Sequence, residues 1–357
     1  MSTKLYKTIK WTSIILFVSC IVFLTLFLRR EDSGKLNFGF GPWTTSSTTS
    51  TVNQNFVPVQ GAGESKQRVL QLIIAFIGGG SLAFAGCLLQ KITKNKLAEI
   101  SILGIGSINI LFIYIYARSI GYESFGEGFY AILMPVLLIV FSVIGTMIIW
   151  AISRSKKSNK NTFVIIGISI QLLVEALSVV FVNPIDMIQG NAIEKKVWGK
   201  IKSYTLGQIK SDINNNNYIP WWLILVGFIL FATVVVFSLF LRKKIDTFES
   251  SEFLAQSTGV NSKKLRLIVF IFVALLAAVA ACIIGTVALL GIIAPSLARM
   301  LFKNKFAIMS LCSMLVGGSL VALAAWVSMN MNLSLPVGIL STAIVAPYFL
   351  FLIVKER

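Results

Sequence analysis

The sequence predicts an all-α membrane protein that crosses the bilayer about ten times. Of its 357 residues, 56% are hydrophobic and only 13% are charged, whereas soluble domains average about 45–50% apolar and 25% charged residues. The apolar residues also fall into separate runs of roughly the 20 residues that a spanning helix needs. Composition therefore excludes a soluble enzyme or a soluble binding domain.

The first apolar run extends from Trp11 to Leu28 and follows three lysines. It ends at Arg29-Arg30 without an A-x-A-like cleavage site, so we interpret it as a retained helix rather than a signal peptide. Residues 1–30 then form the first transmembrane helix, and the Ser/Thr-rich residues 31–67 form a polar extracellular loop. The core, residues 68–357, contains nine further runs, near 70–89, 100–117, 130–152, 162–182, 220–241, 265–285, 287–302, 306–328 and 336–354.

The basic residues orient these spans. The net charge is +18, and placing the N-terminus inside assigns 21 of the 32 lysines and arginines to cytoplasmic segments. Arg118 is the one basic residue that this topology leaves in a short outside loop. By the positive-inside rule we predict that both termini are cytoplasmic. The orientation of the chain in the lipid membrane thus accounts for the positive net charge. We therefore expect membrane lipid as a partner and no nucleic acid.

No pattern in the sequence indicates covalent chemistry. There is no histidine, so the commonest metal ligand and proton shuttle is missing. The four cysteines lie singly in apolar runs, and Walker, nucleophile-elbow and HExxH motifs are absent. We therefore expect no catalytic residue, no metal site and no cofactor in this chain.

Glu175 is the carboxylate that lies deep inside a predicted span. Gln171 and Ser178 share its helix face at helical spacing. An acid inside a span is a candidate for a translocation pathway. It can equally serve as an interhelical hydrogen-bonding group, and the sequence leaves both readings open.

Residues 242–266 form the longest and most polar cytoplasmic loop. Ser250 or Ser251 can cap a short helix that carries Phe253 and Leu254, and Gly259 can terminate it. Such a helix offers a cytoplasmic partner an apolar handle. The alternative is a solvated loop that contacts nothing.

Two further features are interpreted as structural. The glycines Gly78-Gly79-Gly80 lie inside an apolar run, where they favour close helix packing rather than phosphate binding. Pro295 lies within the run 287–302, where it removes a backbone donor and should bend the helix or begin it anew.

Three blocks of the sequence resemble one known family, the FecCD/BtuC-type permeases of ABC importers, which take up iron-siderophores, haem or vitamin B12. The first block is GGSLAFAGCLLQKITKNKLAEISILGI, residues 79–105, and the others are GTVALLGIIAPSLAR, residues 285–299, and LPVGILSTAIVAPYFLFLI, residues 335–353. The positions that match the family motifs include Gly79, Gly86, Gln90, Asn95, Leu97, Ala98, Gly104, Gly285, Gly291, Pro295, Arg299, Pro336, Gly338 and Pro347. The resemblance extends from about residue 68 to the C-terminus.

The resemblance implies a BtuC-like type II importer fold with ten helices and a permease core over residues 68–357. It also implies a bacterial cell-membrane location and three kinds of protein partner: a second permease subunit, identical or not, two cytoplasmic ATPase subunits that bind ATP and Mg²⁺, and an extracellular solute-binding lipoprotein. By the same resemblance, Arg68 contacts the binding protein. The ATPase contacts Ser250, Ser251, Glu252, Phe253, Leu254, Ala255, Gln256, Ser257, Gly259 and Val260.

The chain departs from the family pattern at several positions, with Lys96 and Ile100 in place of prolines and Ser296 in place of a histidine. Two of the three arginines expected to dock the binding protein are also replaced, by Gln71 and Val327. We predict an importer permease for an iron-siderophore, haem or corrinoid-like solute. The alternatives are an ion-coupled secondary transporter and a non-transporting scaffold or sensor.

Overall fold

The computed structural model describes residues 18–22, 28–30, 36–38, 61–101, 104–121, 128–153, 162–181, 221–285, 287–302, 305–330 and 336–355. Within these ranges the protein is helical, apart from one short pair of strands. The helices are α1 (Gly61–Thr93), α2 (Ile105–Ile120), α3 (Gly128–Ser153), α4 (Thr162–Phe181), α5 (Trp221–Phe240), α6 (Arg242–Ser250), α7 (Glu252–Ser257), α8 (Ser262–Ile283), α9 (Leu290–Leu301), α10 (Phe306–Asn330) and α11 (Val337–Lys355).

Nine of these helices correspond to the nine apolar runs of the predicted core. Five of them contain stretches long and apolar enough to cross a membrane: Val69–Thr93, Ile132–Ile152, Trp222–Phe240, Ser262–Ile283 and Phe306–Ser328. Shorter apolar stretches lie in the other four: Ile105–Ile120, Ile165–Leu177, Leu290–Leu301 and Val337–Tyr348. The predicted boundary between the runs 265–285 and 287–302 is a break in the helix, because α8 ends at Ile283 and Gly285 has a φ of 77°.

Helix α1 is the centre of the bundle and packs against α8, α9 and α10. Small residues make these contacts possible. A Cβ added at Gly79 would lie 2.7 Å from the backbone oxygen of Gly317 in α10, and one at Gly78 would lie 2.6 Å from Ile284. The packing role predicted for these glycines is therefore confirmed, and the close approach of helices is what membrane bundles gain from small residues.

Two short helices, α6 and α7, follow α5 and form a cap at one end of the bundle. Helix α6 contacts the C-terminal end of α1 and the start of α10. Its apolar residues Ile245 and Phe248 are buried, while its neighbours Arg242 and Lys243 are exposed. The cap is therefore an amphipathic surface element rather than a span.

Residues 18–22 are helical, in agreement with the predicted first helix, and the described segments further along differ from the prediction. Leu28–Arg30 and Leu36–Phe38 pair as antiparallel strands, β1 and β2, in a stretch that the prediction divides between the first helix and the loop. Strand β2, Leu-Asn-Phe, alternates apolar and polar residues, the pattern that favours a strand, whereas β1 reads Leu-Arg-Arg. Helix α1 begins at Gly61, inside the predicted loop, because residues 61–68 are rich in helix formers. The rest of the predicted first span and loop, residues 18–22 excepted, lies outside the described residues.

Candidate functional site

A cavity of about 590 Å³ lies between α2, α4 and α11 and the segment before α9. Small and apolar side chains form most of its wall. Its polar side chains are those of Ser101, Ser107, Gln171, Glu175 and Thr342, and hydrogen bonds join Ser107 and Gln171 to Glu175. Of these lining residues, Glu175 is the one with an ionisable side chain. The cavity thus combines a mostly apolar wall with a polar patch formed by Ser107, Gln171 and Glu175.

Glu175 is held by two donors. Gln171 Nε2, one turn earlier on α4, donates to Glu175 Oε1 at 2.9 Å, and Ser107 Oγ of α2 donates to the same oxygen at 3.2 Å. The Glu175 side chain is exposed to the cavity. The interhelical hydrogen-bonding role is therefore present in the structure. The carboxylate also lines the cavity, and its role in a translocation pathway stays a prediction.

Two other predicted site residues have side chains outside the described part of the structure. Ser178 lies on α4 and Arg68 on α1, immediately before the apolar stretch that begins at Val69. The helical backbone places Ser178 about one turn beyond Glu175. Their contacts remain predictions.

Sequence reasoning missed a second acid, Glu99, in the segment between α1 and α2. Its side chain is 2% exposed, and its Oε1 accepts a hydrogen bond from the Gly291 N–H at 3.1 Å. The prediction treated residues 91–99 as a cytoplasmic connection and so did not consider burial there. The apolar neighbours Ala98 and Ile100, which are also buried, were the available signal.

The family-motif residues meet around Gly291. Gln90 Nε2 of α1 donates to the Gly291 C=O at 3.1 Å, and Arg299 donates to Gln90 Oε1. A Cβ added at Gly86 would collide with the Gly291 backbone. Asn95 lies apart from this contact, where its Oδ1 accepts from the Leu97 N–H at 2.9 Å and shapes the turn after α1.

The cap helix α6 is fastened to α1 by charge. Lys91 is 1% exposed and donates to Glu249 Oε2, with Asp246 Oδ1 at 4.0 Å. Asp246 Oδ1 also accepts from the Phe306 N–H at 2.8 Å, a first-turn donor of α10 with no partner in its own helix. Burial raises the pKa of Asp246, and the Phe306 N–H and Lys91 act against that rise.

The segment predicted to contact a partner is a defined turn of helix. Ser251 caps α7, accepting from the Leu254 N–H at 3.4 Å. Gly259 follows with a φ of 81°, which confirms it as the terminating glycine. Glu252 accepts from Arg266 Nη2 at 2.8 Å, so α7 is tied back to α8. Phe253 is 78% exposed and presents an apolar ring to the surroundings.

The helical architecture, with apolar spans around a cavity and a short-helix cap at one end, defines a polytopic membrane protein of the transport class. Residues 37–355 match the FecCD transport family. The chain therefore belongs to the FecCD transport family. It is a membrane protein, the permease subunit of an ABC importer, and functions within an ABC transporter assembly.

Relatives and a solved structure agree with this assignment. The chain is 27% identical over 300 residues to the iron(3+)-hydroxamate import system permease protein FhuG of Bacillus subtilis, which covers 81% of this chain and 83% of that protein. It is 26% identical over 298 residues to the Fe(3+)-citrate import system permease protein YfmE of the same organism, with 81% of each covered. A solved metal-chelate type ABC transporter in an inward-facing conformation superposes with a TM-score of 0.72 at 20% identity, over 98% of this chain and 99% of that one. At that identity the superposition shows the fold alone, which is the BtuC-like permease fold predicted from the sequence.

Proposed function

We propose that this permease carries a ferric chelate, of the siderophore or citrate kind, through the cavity that Gln171 and Glu175 line. The observation that carries the proposal is the polar patch at Glu175 in a wall of mostly small and apolar side chains. The relatives of the chain are named for iron(3+)-hydroxamate and Fe(3+)-citrate import. A wall with few polar side chains suits a bulky solute that must pass through without binding tightly.

A second permease subunit would complete the pathway. Several apolar side chains of α4 are largely exposed in the single chain, among them Ile165 at 61%, Leu172 at 62% and Leu173 at 63%. These side chains lie on the parts of the α4 surface outside the polar face that lines the cavity. A helix of this kind, polar on one face and apolar on the others, suits a position between a water-filled path and a partner subunit or lipid.

The cap of α6 and α7 is proposed to be the ATPase contact, with residues 250–260 as its centre. Phe253 and Leu254, 78% and 52% exposed, would insert into a cleft on the ATPase. The ion pairs of Lys91 and Arg266 would transmit the movement of that contact to α1 and α8. In this scheme ATP and Mg²⁺ belong to the ATPase subunit, and the permease performs no covalent chemistry.

The positions of the charged contacts support the proposed orientation. The contacts of Asp246 with Lys91 and with the Phe306 N–H join the C-terminal end of α1, helix α6 and the start of α10 at one end of the bundle. Lys91 and Asp246 belong to segments predicted as cytoplasmic. Arg68 lies 23 residues before Lys91 on the same helix, about 35 Å away at 1.5 Å per residue. This distance would put Arg68 at the outer face, where a solute-binding protein would dock. With this orientation, the positive-inside rule gives cytoplasmic termini.

An uptake assay tests the proposal. The chain would be expressed with a matching ATPase and binding protein in bacteria that lack their own ferric-chelate permeases, and radioactive iron would be supplied as a hydroxamate or citrate complex. We expect iron accumulation with the intact chain and at least a tenfold loss with Glu175→Lys, which places a cation in the polar patch. Uptake of neither chelate, with the assembly present in the membrane, would contradict the proposed substrate class.

A further inference from the structure

Gly291 has a backbone that helix α9 cannot satisfy. It is the second residue of α9, so its N–H lies in the first turn and has no acceptor within the helix. Its C=O would normally accept from the residue four positions later, which is Pro295 and has no N–H. Both polar groups of this buried residue therefore need partners from elsewhere.

Side chains from α1 and the segment after it supply both partners. Glu99 Oε1 accepts from the Gly291 N–H at 3.1 Å, and Gln90 Nε2 donates to the Gly291 C=O at 3.1 Å. Arg299, two turns beyond Gly291 on the same face of α9, donates to Gln90 Oε1 and fixes the direction of its amide. The start of α9 is thus held from two sides.

The residues around this contact are so closely packed that a larger side chain at Gly86 or Gly291 would collide with its neighbours. Gly86 and Gly291 meet backbone to backbone, and a Cβ at Gly291 would lie 3.0 Å from Glu99 Cγ. Glu99 is 2% exposed. Burying a carboxyl group costs free energy unless hydrogen bonds compensate, and the Gly291 N–H supplies one such bond.

The contact lies directly behind the wall of the cavity. Val287 and Ala288, the residues just before α9, line the cavity, as does Ser101, two residues after Glu99. Leu289, which lies between Ala288 and the first residue of α9, has a φ of 65°, an unusual backbone conformation for a residue other than glycine. The position of this wall therefore depends on where α9 begins.

We propose that Glu99 is a positioning residue for the translocation cavity, which acts through the Gly291 N–H to hold the start of α9, and with it Ala288, in place against α1. Gln90 performs the complementary task at the Gly291 C=O. The transport role of this cavity rests on the proposed function, whereas the placement of Ala288 does not depend on which solute is carried.

Cysteine labelling tests the placement. Ala288→Cys would be introduced into the assembled transporter after replacement of the four native cysteines, and its reaction rate with a water-soluble maleimide would be measured. Ala343→Cys, on the α11 side of the same cavity, is the matched control. We expect Glu99→Met, which keeps the volume but offers no oxygen acceptor, to change the rate at position 288 at least fivefold. Glu99→Gln keeps an acceptor and should stay within twofold of the parent.

Equal rates for the parent, Glu99→Gln and Glu99→Met would show that volume alone matters and would overturn the proposal. So would equal changes at positions 288 and 343, which would indicate a general loosening. These outcomes do not depend on iron uptake, so they are distinguishable from a failure of the proposed substrate class.

A backbone rescue tests separately the task assigned to Gln90. Gln90→Glu retains an acceptor for Arg299 but removes the donor to the Gly291 C=O, so it should also shift labelling at position 288. Pro295→Ala supplies the missing helical N–H and should return the Gln90→Glu rate to within twofold of the parent. It should not correct Glu99→Met, whose unsatisfied group is the Gly291 N–H. Correction of both variants, or of neither, would contradict the assignment.

Discussion

At the scale of single residues, Lys91 is the strongest test of how the cap is attached. It is buried, donates to Glu249 and lies 4.0 Å from Asp246. Lys91→Met keeps the aliphatic volume and leaves two acids without their cation, which we expect to cost about 2 kcal/mol. Thermal unfolding in detergent should show this loss. Lys243→Met, at an exposed position on α6, is the control and should change stability little.

The polar face of α4 makes a second prediction at this scale. Single cysteines at Gln171 and Glu175 should react with a water-soluble reagent in the membrane, because both residues line the cavity. Ser178 shares the face and should react as well. Leu173→Cys should react slowly in the assembled transporter, although Leu173 is 63% exposed in the single chain, because lipid or the second subunit covers it. Faster labelling at position 173 than at 171 and 175 would show that the pathway face is assigned wrongly.

At the scale of elements, helix α7 should couple ATP hydrolysis to transport. Gly259→Pro is incompatible with a φ of 81° and removes the N–H that donates to the Gln256 C=O at 3.0 Å. Glu252→Arg replaces the ion pair with Arg266 by repulsion. Both variants should insert normally and lose solute-stimulated ATPase activity at least tenfold. Glu252→Gln, which keeps an acceptor for Arg266, is the matched control, and normal stimulation in Gly259→Pro would contradict the coupling role.

The elements themselves were the predictable part of the molecule. Each core span followed from a run of apolar residues, since burial in lipid makes composition decisive. Glu99 could not be placed in the same way, because its burial depends on the approach of α9 from almost two hundred positions away in the chain. The separate helix α6 was missed for a related reason: its polar composition resembles a loop, and it is helical where Ile245 and Phe248 pack into the bundle.

The roles of the family-motif residues could be predicted only in part. The resemblance marked Gly291, Pro295 and Arg299 as members of the family motif. Neither could show that Pro295 frees a carbonyl for Gln90, since that relation exists only between two packed helices. Hydrogen bonds across helices are properties of the assembled bundle.

At the scale of the whole molecule, the outer face should steer a binding protein by charge. Arg68 and the lysines of residues 195–210, which lie outside the described residues, give this predicted face a positive charge. Exposed charges act over a Debye length of about 8 Å at physiological salt, so the association rate should fall as ionic strength rises. Arg68→Glu should slow association more than Arg118→Glu does. An unchanged rate in Arg68→Glu, with insertion intact, would indicate that Arg68 only anchors the helix end among lipid headgroups.

ATP-driven import into sealed vesicles tests the central claim most directly. The assembled transporter would be reconstituted with the binding protein outside and ATP inside, and accumulation of radioactive ferric hydroxamate or citrate would be followed. We predict accumulation that requires ATP and persists when proton and sodium gradients are collapsed, with Glu252→Arg inactive and Glu252→Gln active. Accumulation driven by an ion gradient in the absence of ATP, or no accumulation by an intact assembly under either condition, would contradict the account.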